Sequence, residues 1–285
     1  MSARPLILTL ISDIFFSVQV ENVIRTLGFD LRRIERGDEI EPAAEDNQTH
    51  AGAYLGEPLT GRGARFVAQL AEWQPVLVIV ELSSREIPWQ AWIAAMKASP
   101  ATRRIPVLAF GPHTDLDLRA AALDAGVNAV VAKSRLVTGL ASLIDEYARL
   151  VDRPALEVDC AGEMSALAAK GIELFNTGQY FEAHEELEHA WLAETGPVRE
   201  LYRGVLQVAV AYLQITRRNY RGALKMFLRM RQWLDPLPDE CLGVNVAKMR
   251  LEAGEARAAL EELGEARIGE FDLSLLKPVS VQPRV

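Results

Sequence analysis

Residues 76–82 read Val-Leu-Val-Ile-Val-Glu-Leu, an apolar run broken only by Glu81 near its end. A run this short and this continuous suits a strand covered on both faces, because a strand with one wet face alternates instead. Working toward the N-terminus, Leu6–Ile11 is a second such run, and Val20–Leu27 has helical spacing that stops at Gly28. Toward the C-terminus, Trp89–Ala98 reads as a helix and Ile105–Phe110 as a strand. A helix ending at Ala125–Gly126 precedes a strand at Ala129–Ala132, and Leu136–Leu150 closes the series as a helix. Strand alternating with helix at these lengths predicts an α/β domain over 1–150, a doubly wound parallel sheet with helices on both faces. The polar stretch 37–63 interrupts the pattern and is expected to be a loop between the second strand and the second helix.

The character changes after residue 150. Residues 151–163 combine a proline, a glycine and several acids, so they are expected to be a linker. From 164 to 265 the chain is rich in Ala, Leu and Glu, and helical spacing recurs over Met164–Asn176, Tyr180–Ala193, Pro197–Thr216, Tyr220–Leu234 and Val246–Leu263. This predicts an all-α domain of helical hairpins. A faint echo supports the hairpins: Asn176–Ala183 and Arg218–Ala223 each read as a tight turn that launches a helix, with Tyr180 and Tyr220 in the same place. Two echoes do not make a solenoid. Residues 266–285 carry two prolines and no helical period, and are expected to be an extended arm or edge strand.

Bulk properties exclude several roles. The net charge is −8, and both halves are acidic, with 15 Lys/Arg against 18 Asp/Glu in 1–150 and 16 against 21 in 151–285. Without a basic stripe there is no electrostatic footprint for a phosphate backbone, so nucleic acid is not an expected partner. No apolar run reaches the ~18 residues of a membrane span. The N-terminal apolar run lacks the order of a signal peptide. The two cysteines, Cys160 and Cys241, are far apart and lack metal-type spacing, which suggests a reduced, cytoplasmic setting.

The first 150 residues resemble the receiver domain of bacterial response regulators. Gln74–Ser83 is similar to the receiver strand that ends in the phosphoaccepting Asp, and Glu81 stands in that place. Ile105–Asp115 is similar to the strand and turn where a Ser or Thr meets the phosphate, and Gly111 stands there. Ala125–Ser134 carries the matching lysine, Lys133, with Ser134 where a proline is usual. Of the acidic pair that holds Mg²⁺ in receivers, only Asp13 is present, after Ser12. The resemblance therefore implies a vestigial site of Asp13, Glu81, Gly111 and Lys133. Acyl-phosphate chemistry needs a carboxylate at fixed reach from the metal, and the extra methylene of Glu moves the nucleophile out of line. Two alternatives follow for Glu81: a standing pair with Lys133 across the sheet edge, or a solvated cap on its strand. A dinucleotide fold is the structural competitor, but no Gly-x-Gly-x-x-Gly follows Leu6–Ile11.

In the helical half, Gly171–Trp191 (GIELFNTGQYFEAHEELEHAW), Arg199–Ala209 and Asn219–Ala223 together resemble the family catalogued as domain of unknown function 309. The resemblance covers about 164–235 and implies a small all-helical domain, sometimes described as a metal-dependent hydrolase. Many relatives carry a His near the position of Gln214, which this chain lacks. On a helix from Phe181, residues 183, 187, 190 and 191 form the apolar stripe, His184 lies at its edge, and Glu188 stands one turn on. Glu182, Glu186 and His189 fall on the opposite side, with Glu185 between. A divalent metal would have to use His184, Glu185 and Glu188, yet His-Glu-x-x-His is absent and no second Glu-x-x-His pair exists for a di-iron site. The alternative is a structural His184–Glu188 pair tied to Arg199, Tyr202 or Arg203, with Gln207 in the same buried polar network. These residues are compatible with three functions. The first is a regulatory or interaction protein in signal transduction, without a cofactor, that binds a protein partner, a second copy of itself or a small ligand. The second is a metal-dependent hydrolase, and the third, DNA-binding output, is disfavoured by charge.

Overall fold

The computed structural model describes residues 4–41, 61, 63–112 and 114–282. Most of the expected 37–63 loop lies outside them. The chain divides into two compact units, Met1–Leu150 and Val151–Val285.

In the first unit, β1 (Leu6–Leu10), β2 (Asp30–Ile34), β3 (Leu77–Glu81), β4 (Val107–Gly111) and β5 (Ala129–Ala132) form one parallel sheet in the order β2-β1-β3-β4-β5. This is the flavodoxin-like order of receiver domains. All five residues of β3 are buried, as its unbroken apolar run requires. Side chains alternate between two cores. Leu8, Leu10, Val78 and Val80 pack with α2 (Ala64–Trp73) and α3 (Trp89–Ala98), where the Phe66 and Trp92 rings stack at 4.4 Å. Ile7, Leu77 and Ile79 pack with α1 (Ile14–Thr26) and α5 (Lys133–Tyr147), and Phe16 lies 5.0 Å from Phe110. Helix α4 (Leu116–Asp124) contributes Ala122 to the first core. The strand order reverses between β1 and β3, and in open α/β sheets ligand crevices form at that point, beyond the carboxyl ends of the strands. Asp13 and Glu81 sit there.

The second unit begins with a helix rather than a linker. Helix α6 (Arg153–Cys160) forms inside the stretch read as a linker because Asp152 caps it and Pro154 occupies its first turn. Helices α7 (Ala166–Asn176), α8 (Tyr180–Ala193), α9 (Arg199–Thr216), α10 (Tyr220–Leu234) and α11 (Val246–Leu263) follow, each of the first four packing on the next. The echo corresponds to equivalent turns: Gly178 at φ +78° precedes α8, and Arg218 at φ +58° precedes α10. Ala183 and Ala223 are each fully buried one turn into their helices. Helices approach closely at two glycines, where a Cβ would stand 2.7 Å from Leu187 Cγ at Gly171 and 2.7 Å from Leu234 Cγ at Gly204. Phe175, Tyr180 and Tyr212 form an edge-on aromatic cluster with centroids 5.3–5.5 Å apart.

Two expectations are corrected here. Cys160 and Cys241 are not free thiols but a disulfide, although 81 residues separate them. A short hairpin that the sequence reading missed, β6 (Glu240–Cys241) with β7 (Val244–Asn245), brings Cys241 against the end of α6, where Leu242 N–H donates to the Cys160 carbonyl at 2.8 Å. The tail is not extended throughout: 3₁₀ turns occupy Glu265–Glu270 and Leu273–Leu275, and only the last stretch is strand-like. No helix of the described residues is long and apolar enough to cross a membrane.

Candidate functional site

At the carboxyl edge of the sheet, register places Glu81 of β3 opposite Phe110 and Gly111 of β4 opposite Ala132. The Glu81 side chain does not face outward. Its Oε2 accepts from the Ser12 amide at 3.0 Å, the Ser12 hydroxyl at 3.2 Å and the Asp13 amide at 3.3 Å. Its Oε1 accepts from the Ser83 hydroxyl at 3.1 Å. With four donors and only 7% exposure, Glu81 is a buried carboxylate that ties the β1–α1 turn to the end of β3. Neither the expected pair with Lys133 nor the expected solvated cap is formed.

Lys133, the first residue of α5, reaches Asp13 instead, at 2.7 Å, and its ammonium lies 4.3 Å from the centroid of the Phe16 ring. The other oxygen of Asp13 caps α1 by accepting from Phe16 N–H at 3.1 Å. The Lys133 hydrogen bond, with help from the Phe16 amide, holds the Asp13 carboxyl below its ordinary pKa. A cleft of about 300 Å³ opens beside these groups, lined by Ser83, Phe110, Gly111, Pro112, Ala132, Lys133 and Ser134. Glu81 and Asp13 do not line it. A Cβ at Gly111 would stand 3.2 Å from Leu82 Cβ, so a Ser or Thr there could enter only by moving Leu82. The sequence-predicted residues thus converge through Asp13, whose amide donates to Glu81 beside Ser12 and Ser83 while its carboxylate pairs with Lys133. The hydroxyls of Ser12 and Ser83 were missed, and their only signal was adjacency to Asp13 and Glu81.

In the helical unit, Ala183, Leu187 and Ala190 are buried as the stripe predicts. His184 is half-buried, with its ring 6.4 Å from that of Phe181, while Glu185 and Glu188 are exposed. No hydrogen bond joins His184 to Glu188 among the described residues, so the expected pair is not formed. Glu186 does not project freely into solvent but pairs with Lys170 of α7. Among the described residues no three His, Cys, Asp or Glu side chains are grouped to hold a metal ion, so this donor set does not fit one. Trp191 is instead a platform for cations: Arg199 lies 5.1 Å and Arg203 4.5 Å from its ring centroid, and Arg203 also lies 3.9 Å from that of Trp233. Gln207 was expected in a buried network, yet its Oε1 is buried without a hydrogen-bond partner among the described residues. Gln214, where relatives were expected to carry His, accepts from the Asn219 side chain at 2.7 Å and steadies the turn into α10.

Residues 168–226 match the family described as Domain of unknown function (DUF309). The matched segment runs from α7 through α8 and α9 into α10, so it contains both echoed turns and the Trp191 platform. A curated protein of Aquifex aeolicus (strain VF5), described as an uncharacterized protein, is 32% identical over 97 residues, which are 33% of this chain and 27% of that protein. The chain thus spans about a quarter of the length of that relative.

Solved structures similar to this chain include the phosphorylated cyanobacterial phytochrome response regulator RcpA, at 15% identity and a TM-score of 0.36 over 51% of this chain and 94% of that one. A response regulator from Desulfuromonas acetoxidans is 18% identical, with a TM-score of 0.35 over 50% and 94%. A receiver domain from Rhodospirillum rubrum is 17% identical, with a TM-score of 0.35 over 48% and 89%. The chain joins an α/β unit of flavodoxin-like strand order to a helical unit that carries the DUF309 segment.

Proposed function

We propose that this chain is a regulatory protein in which the receiver-type unit is a fixed contact module, not switched by phosphorylation, and the helical unit binds a protein partner. One observation carries the first half: the Glu81 carboxylate is engaged by four donors and lies off the cleft that a phosphoryl group would enter. An acyl phosphate needs a free carboxylate oxygen in line with phosphorus and a metal held by neighbouring acids. Both Glu81 oxygens accept hydrogen bonds, and both Asp13 oxygens are engaged, by Phe16 N–H and by Lys133. Breaking either group to bind Mg²⁺ would uncap α1 or leave the Ser12 and Asp13 amides unpaired. The same interactions hold one arrangement of the β1–α1 turn and α5, which suits a surface that is recognised rather than toggled. No observation favours the metal-dependent hydrolase reading, because His184, Glu185 and Glu188 do not converge.

The test is intact-mass measurement of the full chain after incubation with acetyl phosphate and Mg²⁺. No phosphoryl adduct is expected. A stoichiometric adduct on Glu81 or Asp13 would overturn the proposal.

A further inference from the structure

The last described residues, 277–282, lie on the helical unit through their main chain. The Asn176 side chain, at the end of α7, takes both polar groups of one tail residue: Val279 N–H donates to Asn176 Oδ1 at 2.7 Å, and Asn176 Nδ2 donates to the Val279 carbonyl at 3.0 Å. On the far side, Asn245 N–H donates to the Ser280 carbonyl at 2.9 Å and Gln282 N–H to the Gly243 carbonyl at 2.8 Å. Val281 forms an antiparallel bridge with Val244, so the tail extends the β6–β7 hairpin by one strand. Of residues 277–282 only Val279 is buried, at 4% exposure, while Pro278, Val281 and Gln282 are exposed.

This is strand addition to a hairpin edge combined with a side-chain amide clamp, and both modes read backbone rather than side chains. Four of these hydrogen bonds would form with any extended segment that offers one small apolar residue to the Val279 pocket. From this we infer that the groove between Asn176 and the β6–β7 hairpin is a peptide-strand site, which residues 277–282 fill in cis as a pseudo-ligand. Its ligand in trans is an extended peptide of the same Lys-Pro-Val-Ser-Val kind, and the tail excludes it by occupying the groove. The inference deepens the proposed role of the helical unit by giving the partner a chemistry. It does not depend on whether Glu81 can be phosphorylated, so the two tests fail separately.

In the full chain, a protease site inserted between the exposed Gly269 and Glu270, at the end of the 3₁₀ turn, allows residues 270–285 to be cut from the rest. The probe is a fluorescent peptide of sequence 277–285. After cleavage and removal of the tail fragment, the chain is expected to bind the probe, while the uncut chain binds at least about tenfold more weakly because of its covalent competitor. Asn176→Ala in the cleaved chain is expected to weaken the probe by at least about tenfold, the loss of two hydrogen bonds. A Val279→Asp probe is expected not to bind. Equal binding by cut and uncut chains, a folded cut chain that ignores the probe, or unfolding once the tail leaves would each overturn the inference. The last outcome would make the tail part of the core.

Discussion

Glu81→Ala tests whether the carboxylate is a buried tie. The substitution removes the acceptor for the Ser12 and Asp13 amides and for the Ser12 and Ser83 hydroxyls. The hydroxyls can rotate toward other acceptors, but the amides are fixed by the turn into α1. A buried donor left unpaired costs about 1–3 kcal/mol, and the two amides are only part-buried, so together they set a loss of roughly 1–3 kcal/mol. The middle of that range is about 2 kcal/mol. For a unit of this size that lowers the melting temperature by roughly 4–8 °C. Glu81→Gln keeps one acceptor oxygen and loses the charge, so it is expected to cost about 1–2 kcal/mol. Urea titration followed by hydrogen exchange in peptides covering Leu6–Leu10 and Leu77–Glu81 isolates the first unit from the second. An Ala variant within about 0.5 kcal/mol of the parent would refute the reasoning, because a solvated strand-end carboxylate behaves that way.

Three further outcomes are expected. The Asp13 carboxyl, lowered by Lys133, should titrate below 3.8 by NMR. A depressed carboxylate stabilises the fold above its unfolded pKa, and that stability is lost as pH falls through the folded value. Both side chains are more than a third exposed, so screening limits the contribution to less than about 1 kcal/mol, and Asp13→Asn should abolish it; a midpoint at or above 3.8 would contradict the pair. Double replacement of Cys160 and Cys241 by Ser should destabilise the helical unit by about 2–4 kcal/mol in urea, since the bridge spans 81 residues; two reactive thiols in the denatured, unreduced chain would refute the pairing. Gly204→Ala drives a Cβ against the buried Leu234 and should cost about 1–3 kcal/mol, measured as a lower melting temperature of the helical unit.

Much of the architecture is legible because it depends on local pattern. The run at 76–82 is β3 at almost the same bounds, and Trp89–Ala98, Tyr180–Ala193, Tyr220–Leu234 and Val246–Leu263 are helices at the expected bounds. The pattern was less informative where short polar segments owe their form to a neighbour. Helix α6 rests on one capping Asp, and the β6–β7 hairpin is two residues per strand, too short for any period to register.

Side-chain partnership was not legible at all. From the sequence alone, Glu81 could equally pair with Lys133 or stand in water, because both lie at the same sheet edge. Only the tertiary structure brings the Ser12–Asp13 turn beneath Glu81 and leaves Lys133 to Asp13. The same holds for Cys160 with Cys241 and for Asn176 with Val279, 103 residues apart. The sequence by itself determined the order of the strands in the sheet and of the long helices, and the faces they bury, since periodicity and residue type act locally. The tertiary structure alone decided which polar groups meet, because hydrogen bonds depend on ångström-scale distances between segments that the chain brings together only when it packs.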